Sequence, residues 1–145
     1  MIEPTLFLTD VADEEAHRIV DEGLAGHGVE QVGYWDARSL YVLARDPSNE
    51  QILGGLICRT SLGLLFTELA FLPQELRGHG LGTRMLHMAE AEAVKRGCRA
   101  GVLYTISFQA PAFYERHGWR EFGRVPCHPP GTSRIYMTKD FARGQ

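Results

Sequence analysis

The chain contains little cysteine, and its potential metal ligands are not grouped. Only three of its 145 residues are cysteines, Cys58, Cys98 and Cys127, and no two of them form a Cys-x-x-Cys pair. An odd number of widely separated cysteines favours free thiols over a disulfide framework. The six histidines are scattered, and none stands in the His-x-x-x-His spacing of a zinc enzyme. We therefore expect reduced thiols and no metal.

The sequence also lacks an excess of positive charge and a long apolar run. Its 15 Lys and Arg residues are outnumbered by 18 Asp and Glu residues, which gives a formal net charge of −3. Nucleic-acid-binding proteins usually present a basic face, so no nucleic-acid partner is expected. No apolar run approaches the roughly 20 residues of a membrane span, and Met1-Ile2-Glu3-Pro4 lacks the basic start of a signal peptide. These features predict a cytoplasmic protein without a membrane partner.

No internal repeat or low-complexity segment divides the chain. A length of 145 residues with 44% hydrophobic content is sufficient to bury one proper core. We therefore expect a single domain that spans residues 1–145.

The first part of the chain predicts a short strand and a helix. Residues 5–9 alternate weakly between apolar and polar side chains, and Asp10 or Asp13 can cap a helix that follows. Apolar residues at three- and four-residue spacing predict that this helix runs to about Ala25 with one face toward the core. Gly26 is the first of two glycines that could end it.

Two aromatic residues follow in a turn. Tyr34 and Trp35 could line a substrate pocket, or they could cover the strands that come next. The sequence leaves both interpretations open.

Three apolar segments joined by short turns predict an antiparallel meander. The segments are residues 39–45, residues 51–60 and a strand that starts at Leu64, and residues 46–49 have the composition of a hairpin turn. Strands connected in this way lie next to each other and run in opposite directions.

The most informative stretch joins the third apolar segment to a helix through a glycine-rich turn. Gly78, Gly80 and Gly82 stand at every second position, and glycines allow the backbone to bring its N–H groups close to a ligand. The helix that begins near Gly80 directs unpaired N–H groups and the positive end of its dipole to the same place. Arg77 adds a permanent positive charge. This stretch predicts a phosphate-binding loop.

Spacing distinguishes between the known phosphate-binding motifs. No lysine follows a glycine as a P-loop requires, and Thr83 occupies the position of the third glycine of a dinucleotide-binding fingerprint. The loop matches Arg/Gln-x-x-Gly-x-Gly/Ala as Arg77-x-x-Gly80-x-Gly82. In this it resembles the coenzyme A pyrophosphate loop of the GNAT superfamily of acetyltransferases.

The helix after the loop is amphipathic and well delimited. Its predicted buried stripe is Leu81, Met85, Met88, Ala89 and Ala93. Glu90 and Glu92 are expected to point outward, and Gly97 lies just past the end of the helix. The apolar run 100–106 predicts a strand covered on both faces and reached by a parallel crossover, so the sheet should be mixed.

A second motif lies downstream. Ala110, Tyr114, Gly118 and Trp119 match Ala-x-x-x-Tyr-x-x-x-Gly-aromatic, which is similar to the second coenzyme-binding segment of GNAT enzymes. Pro111 in its first turn and Gly118 at its end predict a short helix. Many family members carry Asn seven residues before the tyrosine, but this chain has Ser107, so the family's side-chain contact there is not assured. The last strands are expected at residues 120–126 and 134–138.

The resemblance runs from about Ser39 to Lys139 and implies a fold and a ligand. The implied fold is α/β (α+β), with a mixed, mostly antiparallel, twisted sheet of about six to seven strands and about four flanking helices. The implied ligand is acetyl-CoA, held in part by the backbone of a strand that splays from its neighbour. The implied coenzyme-binding residues are Phe71, Leu72, Arg77, Gly78, His79, Gly80, Leu81, Gly82, Thr83, Ser107, Ala110, Phe113 and Tyr114.

The resemblance also implies a reaction, the transfer of the acetyl group directly to a primary amine of a small molecule within a ternary complex. Tyr114 is the candidate general acid for the leaving thiolate, and Glu68 is the candidate base because it lies on the strand that leads to the loop. His128 is a lesser candidate base, and the hairpin that contains it flanks the acceptor site in the family. Cys127 has no neighbour in sequence that marks it as activated.

Two alternative functions stay open at this point. The acceptor could be a protein or peptide amine, which would need an open groove for an extended chain. The protein could instead be a non-catalytic acyl-CoA-binding module. A homodimer is compatible with either, and the sequence does not specify the acceptor.

Overall fold

The computed structural model describes residues 2–141, and the chain divides into an N-terminal unit, Met1–Trp35, and a larger unit, Asp36–Gln145. The elements, in chain order, are α1 (Glu14–Val32), β1 (Arg38–Arg45), β2 (Ile52–Ser61), β3 (Leu64–Phe71), a short 3₁₀ turn (Gln74–Leu76), α2 (Leu81–Lys95), β4 (Ala100–Ile106), α3 (Pro111–Arg116), β5 (Arg120–Pro126) and β6 (Ser133–Asp140).

Helix α1 begins as predicted but ends later. The Asp13 carboxylate caps it by accepting hydrogen bonds from the N–H groups of Glu15 and Ala16. The predicted end at Ala25 is wrong, because the helix continues to Val32 and ends at Gly33, which has a φ of 90° and donates its N–H to the Val29 carbonyl. A glycine ends a helix when it adopts this left-handed conformation, and the earlier glycines are helical instead.

Gly28 has a packing role inside α1. A Cβ at this position would lie 2.2 Å from Cε3 of Trp35, so only glycine leaves room for the indole ring. The N-terminal unit is otherwise thinly packed. Ile19, Val20 and Leu24 are not covered by other residues of this unit, so the burial of this face in a core stays a prediction.

The strand predicted at residues 5–9 does not form. These residues have no regular secondary structure, because a strand needs a second strand to satisfy its backbone groups and residues 2–35 contain none. Alternation of side chains alone did not indicate whether a partner strand was present.

The larger unit contains a six-stranded sheet in the order β1-β2-β3-β4-β6-β5. Strands β1, β2 and β3 form the predicted antiparallel meander. Strands β3 and β4 are parallel and joined by α2, whereas β6 pairs antiparallel with both β4 and β5. The predicted mixed, mostly antiparallel sheet is confirmed. The described residues contain six strands and three α-helices, so the prediction of about four helices was too high by one.

The core lies between α2 and one face of this sheet. Leu65 of β3 and Met137 of β6 are fully buried in it. Other buried members come from β1, β2, α2, β4, β6 and the residue before β5, namely Leu40, Val42, Leu56, Cys58, Met85, Leu86, Ala89, Ala93, Leu103, Ile135 and Trp119.

The buried arc of α2 is rotated relative to its prediction. Met85, Ala89 and Ala93 are buried as expected, but Met88 is 60% exposed and Glu90, predicted to point outward, is only 9% exposed. On a helix with 3.6 residues per turn, the arc that contains Met85 and Ala93 extends to position 90 and excludes position 88. The spacing of apolar residues alone therefore placed the centre of the buried arc too close to position 88.

No helix among residues 2–141 is both long enough and apolar enough to cross a membrane.

Candidate active site

The glycine-rich loop has the geometry of an anion site. Gly78 and Gly80 have φ values of 81° and 79°, and Gly80 is the N-cap of α2. The first backbone N–H groups of α2, from Leu81 to Thr83, have no acceptor inside the helix. No acidic residue lies in the first turn, and no atom lies within 4 Å of a Cβ placed at Gly78 or Gly80. The loop therefore offers donors, positive potential and open space together, as a coenzyme pyrophosphate requires.

Arg77 ties this loop to the end of β3. Its Nε donates a hydrogen bond to the Leu72 carbonyl over 2.8 Å, while its side chain stays exposed. His79 is exposed in the same loop. One arginine contact thus fixes the loop relative to the strand end and leaves other guanidinium donors for an anion.

Strands β3 and β4 separate next to the loop. Their parallel pairing covers Leu64 to Thr67 of β3 and stops there. On the other side, β3 pairs with β2, where Cys58 faces Thr67 and Ile57 faces Leu69, so Glu68 is the extra residue of a β-bulge. A bulge bends its strand. Among residues 2–141, the backbone from Leu69 to Phe71 therefore has no strand partner on its β4 side, and this edge can pair with an extended ligand.

Tyr114 is a buried phenol without a hydrogen-bond partner for its hydroxyl among residues 2–141. It lies on α3 and is 8% exposed. Burial raises the pKa of the Tyr114 phenol above its ordinary value, with a smaller contribution from the nearby Cys58 thiol. The phenol is therefore fully protonated at neutral pH and has a proton or a hydrogen bond to donate.

Helix α3 is held against the start of α2. The Phe113 ring lies 3.6 Å from the position of a Cβ on Gly82 and contacts the rings of Tyr114 and His117. The Thr83 Oγ1 and His117 Nε2 atoms are 3.1 Å apart. These contacts bring the two sequence motifs together, because the first turn of α2 and the helix of Tyr114 share one packed surface.

The Ser107 side chain is engaged elsewhere. Its Oγ accepts a hydrogen bond from the Ser133 N–H over 3.0 Å, and its own N–H donates to the Ser133 carbonyl. Ser107 thus joins the end of β4 to β6. Its role in holding the coenzyme stays a prediction. The hydroxyl oxygen already accepts one hydrogen bond, from the Ser133 N–H.

Glu68 is not an isolated carboxylate. It is exposed, and its Oε1 accepts a hydrogen bond from Arg59 Nε over 3.0 Å. The Arg59 guanidinium also lies 4.3 Å from the centre of the Phe66 ring. The bulge places Glu68 beside the splayed strands, but a base at this position would have to act while paired to arginine.

The three predicted substrate residues belong to two different units of the chain. His128 is exposed in the turn between β5 and β6. Trp35 packs on Gly28 inside the N-terminal unit, and Tyr34 there is exposed. Neither interpretation of this aromatic pair is tested by these contacts.

Sequence reasoning missed two polar contacts of the larger unit. One joins His117 to Thr83, and the other joins Glu90 to Trp119, whose indole Nε1 donates to the Glu90 carboxylate over 3.1 Å. Two features of the sequence could have indicated the second contact. One is a charged residue at the edge of an apolar helix stripe, and the other is a tryptophan whose indole N–H needs an acceptor.

The cysteines are free thiols, and no three His, Cys, Asp or Glu side chains within residues 2–141 cluster as a metal site. A sheet that opens beside an anion-binding helix start is the arrangement of the acyl-CoA-dependent acetyltransferases, a class of transferases. Comparison with known proteins identifies the family within that class.

A family model described as an acetyltransferase (GNAT) domain matches residues 36–121. The chain is 35% identical over 134 residues to acetyltransferase Atu2258 of Agrobacterium fabrum, covering 92% of this chain and 97% of that protein. It is 35% identical over 108 residues to blasticidin-S acetyltransferase of Streptomyces morookaense, covering 72% and 79%. A crystal structure of an Agrobacterium tumefaciens protein assigned as an acetyltransferase matches with a TM-score of 0.84 at 33% identity, covering 94% and 99%.

The chain therefore belongs to the GNAT acetyltransferase family. The family resemblance, the fold class and the enzyme class predicted from the sequence are confirmed, and acetyl-CoA is the donor that GNAT acetyltransferases use.

Proposed function

We propose that this protein is an N-acetyltransferase that moves the acetyl group of acetyl-CoA directly to a primary amine of a small molecule. It acts in the cytoplasm as a single acetyltransferase domain. Blasticidin-S acetyltransferase, a relative at 35% identity, is named for a small-molecule substrate, which supports an acceptor of this size over a peptide.

The observation that carries the proposal is the unpartnered Tyr114 hydroxyl, which sits on a helix packed against the anion-binding start of α2. A non-catalytic binding module would need the loop but would have no use for a buried phenol with a free donor. Within residues 2–141 no buried side-chain oxygen or nitrogen lacks a hydrogen-bond partner, so the Tyr114 hydroxyl reaches the surface of the site, where the sulfur of a bound thioester could accept its hydrogen bond.

The proposed reaction needs only positioning and proton transfers. The neutral amine nitrogen attacks the thioester carbonyl, an N–C bond forms, and the C–S bond breaks. Holding both reactants in contact supplies roughly 7–11 kcal/mol of the barrier reduction, so no covalent enzyme intermediate is required. The donor is held by the loop from Arg77 to Thr83 and by the backbone from Leu69 to Phe71, on the edge of β3 that faces away from β2.

Two side chains move the protons in this proposal. Tyr114 donates its phenolic hydrogen toward the leaving sulfur as the C–S bond breaks. Glu68 takes the proton released by the amine through a water molecule, which is compatible with its exposed position. It would do so while its Oε1 stays within hydrogen-bond distance of Arg59 Nε.

A panel of acceptors tests the proposed function. Release of the coenzyme thiol is measured with acetyl-CoA and amines of several kinds, including aminoglycosides, polyamines, amino acids, nucleoside antibiotics and short peptides. We expect thiol release that depends on a small primary amine, with an N-acetylated product seen by mass spectrometry.

Three other outcomes would reject parts of the proposal. Turnover with peptides alone would assign the protein to peptide-amine acetylation. Saturable acetyl-CoA binding without any turnover across the panel would identify a binding module. Thiol release at the same rate without an amine would mean that the protein is a thioesterase.

A further inference from the structure

Glu90 is a carboxylate buried against the sheet. It lies on α2, and only 9% of its surface is exposed. Glutamate is almost never buried to this extent unless it is paired. Its Oε2 accepts the indole N–H of Trp119 over 3.1 Å, and its Oε1 accepts from Lys139 Nζ of β6 over 2.6 Å. One carboxylate thus joins α2, β6 and the segment that follows α3.

Trp119 in turn contacts the proposed catalytic tyrosine. Its backbone N–H donates to the Tyr114 carbonyl over 3.0 Å, and the two rings meet edge to face with centres 6.1 Å apart. The indole is 2% exposed. It also rests on Gly101 of β4, where a Cβ would lie 2.5 Å from indole Cη2. Packing therefore fixes the position of the indole ring, and Glu90 binds its N–H group.

Helix α3 has little to hold it in place by itself. It is six residues long, and its N-cap, Ala110, provides no side-chain hydrogen bond. Helices of this length are not stable from their own hydrogen bonds. The hydroxyl of Tyr114 makes no hydrogen bond within residues 2–141, so the direction of its ring is set by packing, with Phe113 beside it and Trp119 below.

A buried ion pair is a poor device for stability alone. Replacing such a pair with apolar residues of similar volume is often neutral or stabilising. A directional hydrogen bond, by contrast, fixes the rotation of an indole ring in a way that apolar packing does not. The arrangement of Glu90, Trp119 and Tyr114 is therefore suited to orientation.

We propose that Glu90 is a positioning residue, which orients Trp119 and through it holds Tyr114 in line with the reacting thioester. This inference rests on the proposed role of Tyr114 as general acid. It assigns to α2 a second task, because the helix that binds the coenzyme phosphates at its start also aligns the acid from its middle.

The test is a set of kinetic measurements on single variants. Glu90→Leu removes both acceptor atoms and should lower kcat by up to about 10²-fold, the cost of a misplaced catalytic group. The KM for acetyl-CoA should stay within about threefold, because the phosphate loop is unchanged. Glu90→Gln keeps one acceptor oxygen for Trp119 and should restore most of kcat. Glu92→Gln, on the same helix and paired with Arg96, is the matched control and should behave as wild type.

A double-mutant cycle separates positioning from a general structural role. The Glu90→Leu change is repeated in a Tyr114→Phe background. If Glu90 acts through the phenol, kcat of the double variant should equal that of Tyr114→Phe, because the acid that it orients is already absent. If Glu90→Leu does not fold, Trp119→Phe replaces it in the cycle, since that change removes the indole N–H and keeps an aromatic ring.

The outcomes distinguish the inference from the function on which it rests. Losses in kcat that multiply in the double variant would overturn the positioning role while leaving the acid role of Tyr114 intact. A wild-type kcat in Glu90→Leu would overturn it as well. A wild-type kcat in Tyr114→Phe would overturn both, because no catalytic phenol would remain to be positioned.

Discussion

At the scale of single residues, the proposed reaction depends most on Tyr114. Tyr114→Phe removes one hydroxyl that has no partner within residues 2–141, and the ring contacts with Phe113 and Trp119 stay. Folding stability and acetyl-CoA affinity should therefore change little. Turnover should fall by roughly 10²–10⁴-fold, the usual contribution of a general acid. Initial rates at saturating acetyl-CoA measure this.

The matched control is Tyr41→Phe, which removes the same group from an exposed tyrosine of β1 and should leave turnover unchanged. If Tyr114→Phe turned over at the wild-type rate under conditions where chemistry limits, Tyr114 would only pack and solvent would protonate the thiolate.

Tyr114 also makes the free energy of unfolding depend on pH in the alkaline range. Burial raises the pKa of this phenol in the folded state, whereas the unfolded phenol titrates near its ordinary value of about 10. Its contribution is fully present below about pH 10 and is lost as the pH rises above that value, because the unfolded chain then releases the proton more readily. Urea denaturation should show the wild type losing more stability than Tyr114→Phe as the pH rises above about 10. An equal loss in the two proteins would contradict the burial of a protonated phenol.

The two residues Tyr114 and Glu90 show what could be predicted at this scale. Tyr114 stood in a motif that predicted its helix, and α3 is present there, whereas its catalytic role stays a proposal. Glu90 could not be predicted to be buried, because helix periodicity ranks residues by polarity and places a glutamate outward. Its burial depends on Lys139 and Trp119, which are 49 and 29 residues away in sequence.

At the scale of elements, coenzyme binding is proposed to depend on the link between β3, the glycine loop and α2. Gly80→Val should abolish the increase in melting temperature that acetyl-CoA causes by binding the folded state, because its side chain would enter the open space at the helix start. NAD and ATP should cause no comparable increase in the wild type. Thermal shift assays with the three ligands measure both effects.

Strain in the backbone needs its own control. Gly63 in the turn between β2 and β3 has a φ of 81°, close to the 79° of Gly80, and open space around it. Gly63→Val imposes the same conformational cost and should keep the acetyl-CoA shift. Equal loss of the shift in both variants, or an unchanged shift in Gly80→Val, would argue against the loop assignment.

Elements with strong local signals were predictable, and elements that depend on partners were not. The meander and α2 carry their turns, caps and periodicity within their own sequence. The strand predicted at residues 5–9 failed because pairing is not a local property. The end of α1 was missed because the sequence does not show which of several glycines adopts the left-handed conformation that Gly33 has.

At the scale of the whole molecule, stability should come mainly from the layer between α2 and the sheet. Leu65→Ala should lower the free energy of unfolding by about 2–5 kcal/mol, since Leu65 is fully buried and its removal leaves a cavity. Met88→Ala, on the exposed side of α2, should change it by about 0.5 kcal/mol or less. Denaturant titration measures both, and a similar cost for the two changes would contradict the observed orientation of α2.

Family membership and the site geometry specify the type of reaction more closely than they specify the amine acceptor. Direct transfer is the central claim, because the proposed site needs only positioning and a proton donor. Burial raises the pKa of the Cys58 thiol near Tyr114, which disfavours the nucleophilic thiolate there. Cys127 lies in the segment between β5 and β6, and its thiol is free. Cys127→Ala should therefore keep most of the activity.

The most direct test is the two-substrate kinetics of the wild-type protein with its best amine acceptor. Direct transfer within a ternary complex predicts intersecting double-reciprocal lines, no burst of free coenzyme thiol before the amine is added, and no acetyl group on Cys127 by mass spectrometry. Parallel lines, together with an amine-independent burst and an acetylated Cys127, would show that the acetyl group passes through the enzyme and would contradict the account.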